Sequence, residues 1–130
     1  MIVDSSALVA ILRSEPEAAS FAAALRAAPV RASAATLLEA AMVMGPEMAT
    51  RLNSLIDHLE LEIVPFGADQ LSVARDAMAS YGKGSGHQAR LNYGDCFSYA
   101  LAKVTGEPLL FKGDDFTHTD LTPAWSPEVS

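Results

Sequence analysis

A chain of 130 residues with one cysteine, Cys96, can close no internal disulfide and supplies no thiolate cage for zinc. Its three histidines, His58, His87 and His118, fall at no ligand spacing, which argues against an imidazole metal site as well. Long apolar runs are missing too. The longest, Ala7 to Leu12, is far short of the roughly 20 residues needed to cross a bilayer. No basic segment leads into a long apolar stretch, as it would in a secretory signal. The expectation is a cytoplasmic protein with no membrane attachment. Basic residues are also scarce: nine Lys and Arg against 16 Asp and Glu leave a net charge of −7. That balance excludes gripping nucleic acid by bulk positive charge alone. It fits carboxylates that await divalent cations, or a basic partner. Ser5 and Ser6 lack a G-x-S-x-G setting, which excludes a serine hydrolase of that kind. The Gly-rich stretch 82–90 lacks the GxxxxGK[ST] spacing of a phosphate loop.

What is present is a chain that is 50% hydrophobic and long enough for one apolar core, read as a single domain over 1–130. Met1-Ile2-Val3 is a short apolar strand that stops at Asp4, and Leu8, Ile11 and Leu12 follow at helical spacing. Ser14-Glu15-Pro16-Glu17 opens a second helix with Phe21, Leu25 and Ala28 as its stripe, closed by Pro29. Val30 to Ser33 is a candidate strand, Ala34 to Met44 a helix ended by Gly45-Pro46, and Pro46 to Glu60 another helix. Leu61 to Val64 is the next strand, followed by a helix over about 68–80 and a glycine-rich loop over 82–90. A sixth helix begins near Gly94-Asp95 and ends at Gly106, before a strand at Leu109-Leu110-Phe111. The tail, with Leu121 and Trp125, can add an edge strand. Strands alternate with helices and no Asn-Gly hairpin signal occurs, so the pattern predicts a mostly parallel sheet of four to five strands between helical layers.

Acids meet elements that otherwise favour burial at four places: Asp4, Glu39, Asp95, and the pair Asp114-Asp115. Each has an ordinary explanation. Asp4 can cap a helix, Asp95 suits a first helical turn, and Asp114-Asp115 suits a turn after Gly113. Glu39 can face solvent, yet its helix has almost no other polar residue to define such a face. Taken together, the acids fall where an open α/β sheet places its site, at the C-terminal ends of strands. Several carboxylates around one cleft need compensation, and the hard cations Mg²⁺ or Mn²⁺ supply it. Lys83, His87 and Arg90 are candidates for RNA contact, or simply belong to a solvated loop. Arg51 and Arg75 read as surface charges, Cys96 as packing, and Met42, Met44, Met48 and Met78 as core or interface.

Ile2-Val3-Asp4-Ser5-Ser6-Ala7-Leu8, the helical Glu39, Tyr93-Gly94-Asp95-Cys96-Phe97 and Phe111-Lys112-Gly113-Asp114-Asp115-Phe116 resemble, in order, the motifs of PIN-domain ribonucleases. Among these the chain is most similar to the VapC-type toxins of toxin–antitoxin pairs. The resemblance implies a PIN-like three-layer α/β/α fold and a Mg²⁺- or Mn²⁺-dependent endoribonuclease. It also implies a homodimer neutralised by a VapB-type antitoxin, with DNA contacted only through that antitoxin. Carried over, Asp4 and Asp95 correspond to the principal metal ligands and Glu39 to the third acid. Asp114 corresponds to the fourth, with Asp115 as its alternative, and Ser6 to a hydroxyl beside the first Asp. Two other readings stand beside this one. A phospho-acceptor receiver domain is also a small acidic Mg²⁺-binding fold, and a catalytically silent PIN-like interaction module would share the fold without the chemistry.

Overall fold

The computed structural model describes residues 1–127. Its elements in chain order are β1 (Ile2–Val3), α1 (Ser5–Leu12), α2 (Ala18–Arg26), β2 (Arg31–Ser33), α3 (Ala34–Met44), a 3₁₀ turn (Pro46–Met48), α4 (Ala49–His58), β3 (Glu62–Val64), α5 (Ala68–Tyr81), α6 (Tyr93–Thr105) and β4 (Leu109–Leu110). The four strands form one sheet in the order β3-β2-β1-β4, with every pair parallel. The tail adds a single parallel bridge from Pro123 to Leu109 in place of a full edge strand. A receiver domain would place its strands in the doubly-wound order 2-1-3-4-5, and this sheet does not.

Because side chains alternate across a strand, each two-residue strand feeds both faces. Val3 and Leu110 pack with Leu8, Phe21, Leu25, Leu37 and Leu52 from the α1–α4 layer. Ile2 and Leu109 pack on the other side with Leu91, Tyr99, Leu101 and Phe116. Full burial of an aromatic such as Phe21 contributes about 2–3 kcal/mol. Trp125 of the tail meets that ring edge-on at 5.0 Å, so the tail closes the α1–α2 side of the core.

Several boundaries differ from the sequence expectation for local reasons. Ser14 and Glu60 adopt left-handed φ values of 52° and 50°, which end α1's extension and the fourth helix. Consequently α2 starts only at Ala18, and Glu15 and Glu17 instead hold the Lys112 ammonium, each at 3.1 Å. Met42 and Met78 are exposed and not part of the core.

Candidate active site

With all strands parallel, their C-terminal ends share one edge, and β1 delivers Asp4 there. The Asp4 amide donates to Leu110 O at 2.9 Å, which ties the acid to the last residue of β4. Asp4 does cap α1: Oδ2 accepts from the Ser6 amide at 3.1 Å and the Ser6 hydroxyl at 2.7 Å. Ser6 Oγ in turn accepts from the Lys112 amide at 3.0 Å, which anchors the loop after β4 to the same corner. The other carboxylate oxygen, Oδ1, accepts from Ser98 Oγ at 2.6 Å. The side chain is buried, 3% exposed.

Asp95 enters from the first turn of α6. Asn92 and Asp95 form a reciprocal capping box, in which Asp95 Oδ2 accepts from the Asn92 amide and Asn92 Oδ1 accepts from the Asp95 amide. Thus the capping roles open in the sequence are real for Asp4 and Asp95, and the charge of Asp4 also bears on Asp95. Burial foremost, joined by the charges of Asp4 and Asp115, pushes the Asp95 carboxyl up to about 8 against the opposing pull of the Asn92 amide. Glu39 reaches the site from α3, where Ser5 Oγ donates to its Oε1 at 2.6 Å. Its carboxylate lies across Gly94. A Cβ built on Gly94 would stand 1.7 Å from Glu39 Oε2, so any side chain at this position would push the Glu39 carboxylate off its place over the start of α6.

Of the acidic pair after β4, Asp115 is the one whose charge bears on Asp95. Asp114 instead lines a separate cavity with Glu17, Lys112, Thr117 and Trp125. Asp4 and Asp115 thus bear on Asp95, Glu39 lies over the adjacent Gly94, and Asp114 lines a different cavity. Lys83, His87 and Arg90 gather around one hollow in the loop before α6. The stem of that loop is pinned by paired bonds, Lys83 N to Leu91 O and Leu91 N to Tyr81 O, both 2.8 Å. Cys96 is buried, with its thiol pushed up to about 11 by burial, consistent with packing. Sequence reasoning missed Ser98 and Thr36. Ser98 follows Asp95 at i+3, the helical spacing that puts both on one face, and this was the available signal.

Among the described residues, no three His, Cys, Asp or Glu side chains converge on a single point that could already cage an ion. The donor set is nonetheless all oxygen, and the repulsion carried by Asp95 is what a hard dication relieves. Mg²⁺ or Mn²⁺ therefore fits the chemistry of these residues, and exposed Asp115 is the member least constrained by packing.

A family model described as the PIN domain matches residues 1–121. The chain is 50% identical over 129 residues to Ribonuclease VapC42 of Mycobacterium tuberculosis, covering 95% of this chain and 98% of that protein. It is 47% identical over 126 residues to Ribonuclease VapC30 of the same organism, covering 93% and 95%. Among solved structures, Mycobacterium tuberculosis VapC20, described as a Sarcin-Ricin loop cleaving toxin, superposes with a TM-score of 0.70 at 16% identity, covering 93% of this chain and 95% of that one. A toxin–antitoxin complex from Klebsiella pneumoniae gives 0.69 at 18% identity, covering 97% and 98%. The full-length matches, together with the acids gathered at the sheet edge, place this chain in the PIN-domain family, among the VapC ribonucleases.

Proposed function

We propose that the chain is a metal-dependent endoribonuclease that hydrolyses RNA phosphodiester bonds and acts as the toxin of a toxin–antitoxin pair. The observation that carries this is the crowding of Asp95 with Asp4 and Asp115 at the sheet edge, with Glu39 laid over Gly94 beside them. Asp4 and Asp95 would hold Mg²⁺ or Mn²⁺, supported by Glu39 and by Asp115 in preference to Asp114. Such an ion supplies a water of lowered pKa and neutralises charge on the phosphoryl oxygens. Ser5, Ser6 and Ser98 keep the carboxylates oriented, and the burial of Asp4 and Asp95 excludes bulk water from them. Lys83, His87 and Arg90 offer the RNA backbone a local basic patch on an otherwise acidic protein.

The toxin role is supported by the VapC relatives and by exposed Leu38, Met42 and Val43 on α3, an apolar surface suited to a VapB-type antitoxin. A basic side chain of that partner would enter among the acids. Leu71, Met78 and Tyr93, also exposed, suit contact with a second copy in a homodimer. A silent interaction module would have no use for a carboxyl held at such an electrostatic cost. Incubation of the purified protein with total RNA tests the assignment: cleavage with Mg²⁺, lost on chelation and lost in Asp4→Ala and Asp95→Ala, is the expected result. Full Mg²⁺-dependent activity in either variant would remove these acids from the chemistry.

A further inference from the structure

Thr36 on α3 and Ser98 on α6 are both fully buried, at 0% exposure. Their hydroxyl oxygens are 3.2 Å apart, and Ser98 Oγ donates to Asp4 Oδ1 at 2.6 Å. A serine hydroxyl has one proton. Since that proton goes to Asp4, the Thr36 hydroxyl must be the donor to Ser98. The order Thr36 to Ser98 to Asp4 is thereby fixed in direction.

Packing alone does not call for this chain of hydroxyls. Apolar groups of the same shape in place of both partners of a buried hydrogen bond leave stability nearly unchanged. What the hydroxyls do uniquely is hold the carboxylate. A carboxylate has about four acceptor positions. On Asp4, Oδ2 accepts two bonds from Ser6 and Oδ1 accepts one from Ser98. Ser98 thus stops rotation of the Oδ1 edge and leaves that oxygen one acceptor position.

We propose that Thr36 and Ser98 form a buried hydroxyl relay that positions Asp4 for metal-dependent cleavage; both are positioning residues, and neither belongs to the acid set. The relay rests on the function proposed above. Loss of a group that orients a ligand typically costs 10- to 100-fold in metal affinity or activity.

The test uses the full chain and three variants: Thr36→Val, which keeps the shape without the hydroxyl, Thr36→Ser, which keeps the hydroxyl without the methyl, and Ser98→Ala. Mn²⁺ affinity is read by calorimetry, and kcat and KM are read on an RNA oligonucleotide. Circular dichroism confirms the native fold. Thr36→Val is expected to weaken Mn²⁺ binding and lower kcat about tenfold, with KM unchanged, and Ser98→Ala to do so by roughly 10- to 100-fold. Thr36→Ser should stay near wild type in both readouts. Wild-type behaviour in Thr36→Val and Ser98→Ala would overturn the relay, as would equal impairment of Thr36→Ser and Thr36→Val, which would mean packing alone. If Thr36→Val fails to fold, Ser98→Ala decides on the same readouts. Wild-type protein that neither binds Mn²⁺ nor cleaves RNA overturns the proposed function and the relay with it, whereas active wild type with indifferent variants overturns the relay alone.

Discussion

Asp95 stays protonated in the folded chain well above its ordinary range, because burial and the neighbouring carboxylates disfavour its charge. Its pKa rises from an ordinary 3.8 to about 8, so between these values the folded state binds a proton that the unfolded state has lost. Stability of the metal-free protein therefore falls as pH rises through that window. Asp95→Asn keeps an acceptor for the Asn92 amide and carries no charge. In chelator, its melting temperature is expected to exceed wild type by a margin that widens from about pH 5 to 8; parallel profiles would contradict the assigned burial. Gly94→Ala is a second residue-scale case. The added Cβ would collide with Glu39 Oε2, so cleavage should fall at least about tenfold while far-UV circular dichroism stays native. Unchanged kcat would mean that Glu39 has no role. At this scale the sequence was partly legible. Asp4 and Asp95 stand out because each interrupts an apolar element. The choice between Asp114 and Asp115 does not, since they are neighbours in one turn after Gly113, with φ of 98°, and sequence does not say where each side chain of a turn points. Ser98 and Thr36 stay hidden because a small hydroxyl within a helix looks like filler until its partner across the core is known.

Elements carry the site through very short strands. β1 is two residues long, and one of them, Val3, is fully buried among the α1–α4 side chains while its neighbour Asp4 is tied to Leu110 O. A polar side chain such as that of Val3→Asn, left unpaired there, costs about 1–3 kcal/mol. It should also shift Asp4, so RNA cleavage is expected to fall at temperatures where circular dichroism is still native. Loss of activity only in step with unfolding would contradict β1 as the post that holds the acid. Helix stripes and breakers such as Pro29, Gly45 and Gly106 made the α/β pattern readable. Helix starts were less readable, because Glu15 and Glu17 look like first-turn acids and are in fact partners of Lys112 across the fold. Sequence periodicity reports local faces, and it is silent on an ion pair between residues nearly a hundred positions apart.

For the whole molecule, the proposed function accounts together for the net charge of −7 and the exposed apolar residues of α3. On that proposal, bound cations would reconcile an acidic enzyme with a polyanionic substrate, and the α3 surface would receive the antitoxin. Asp substituted for both Leu38 and Met42 places charges on that exposed surface while leaving Glu39 and the other acids in place. Cleavage of RNA is expected to persist, while the complex with the cognate antitoxin is lost by size-exclusion chromatography. A stable complex of the double variant would move the docking surface elsewhere. Strand order was beyond sequence alone, because alternation of strands and helices permits several parallel sheets; β3-β2-β1-β4 follows only from the pairing.

The central claim is that these carboxylates share a divalent ion. Crystals grown with Mn²⁺ test it most directly, through an anomalous difference map. The expected result is a peak bound by Asp4 and Asp95, with oxygens at about 2.1 Å and Asp115 drawn towards it in place of Asp114. A peak at Asp114 alone, or none near Asp4 and Asp95 at millimolar Mn²⁺, would contradict it.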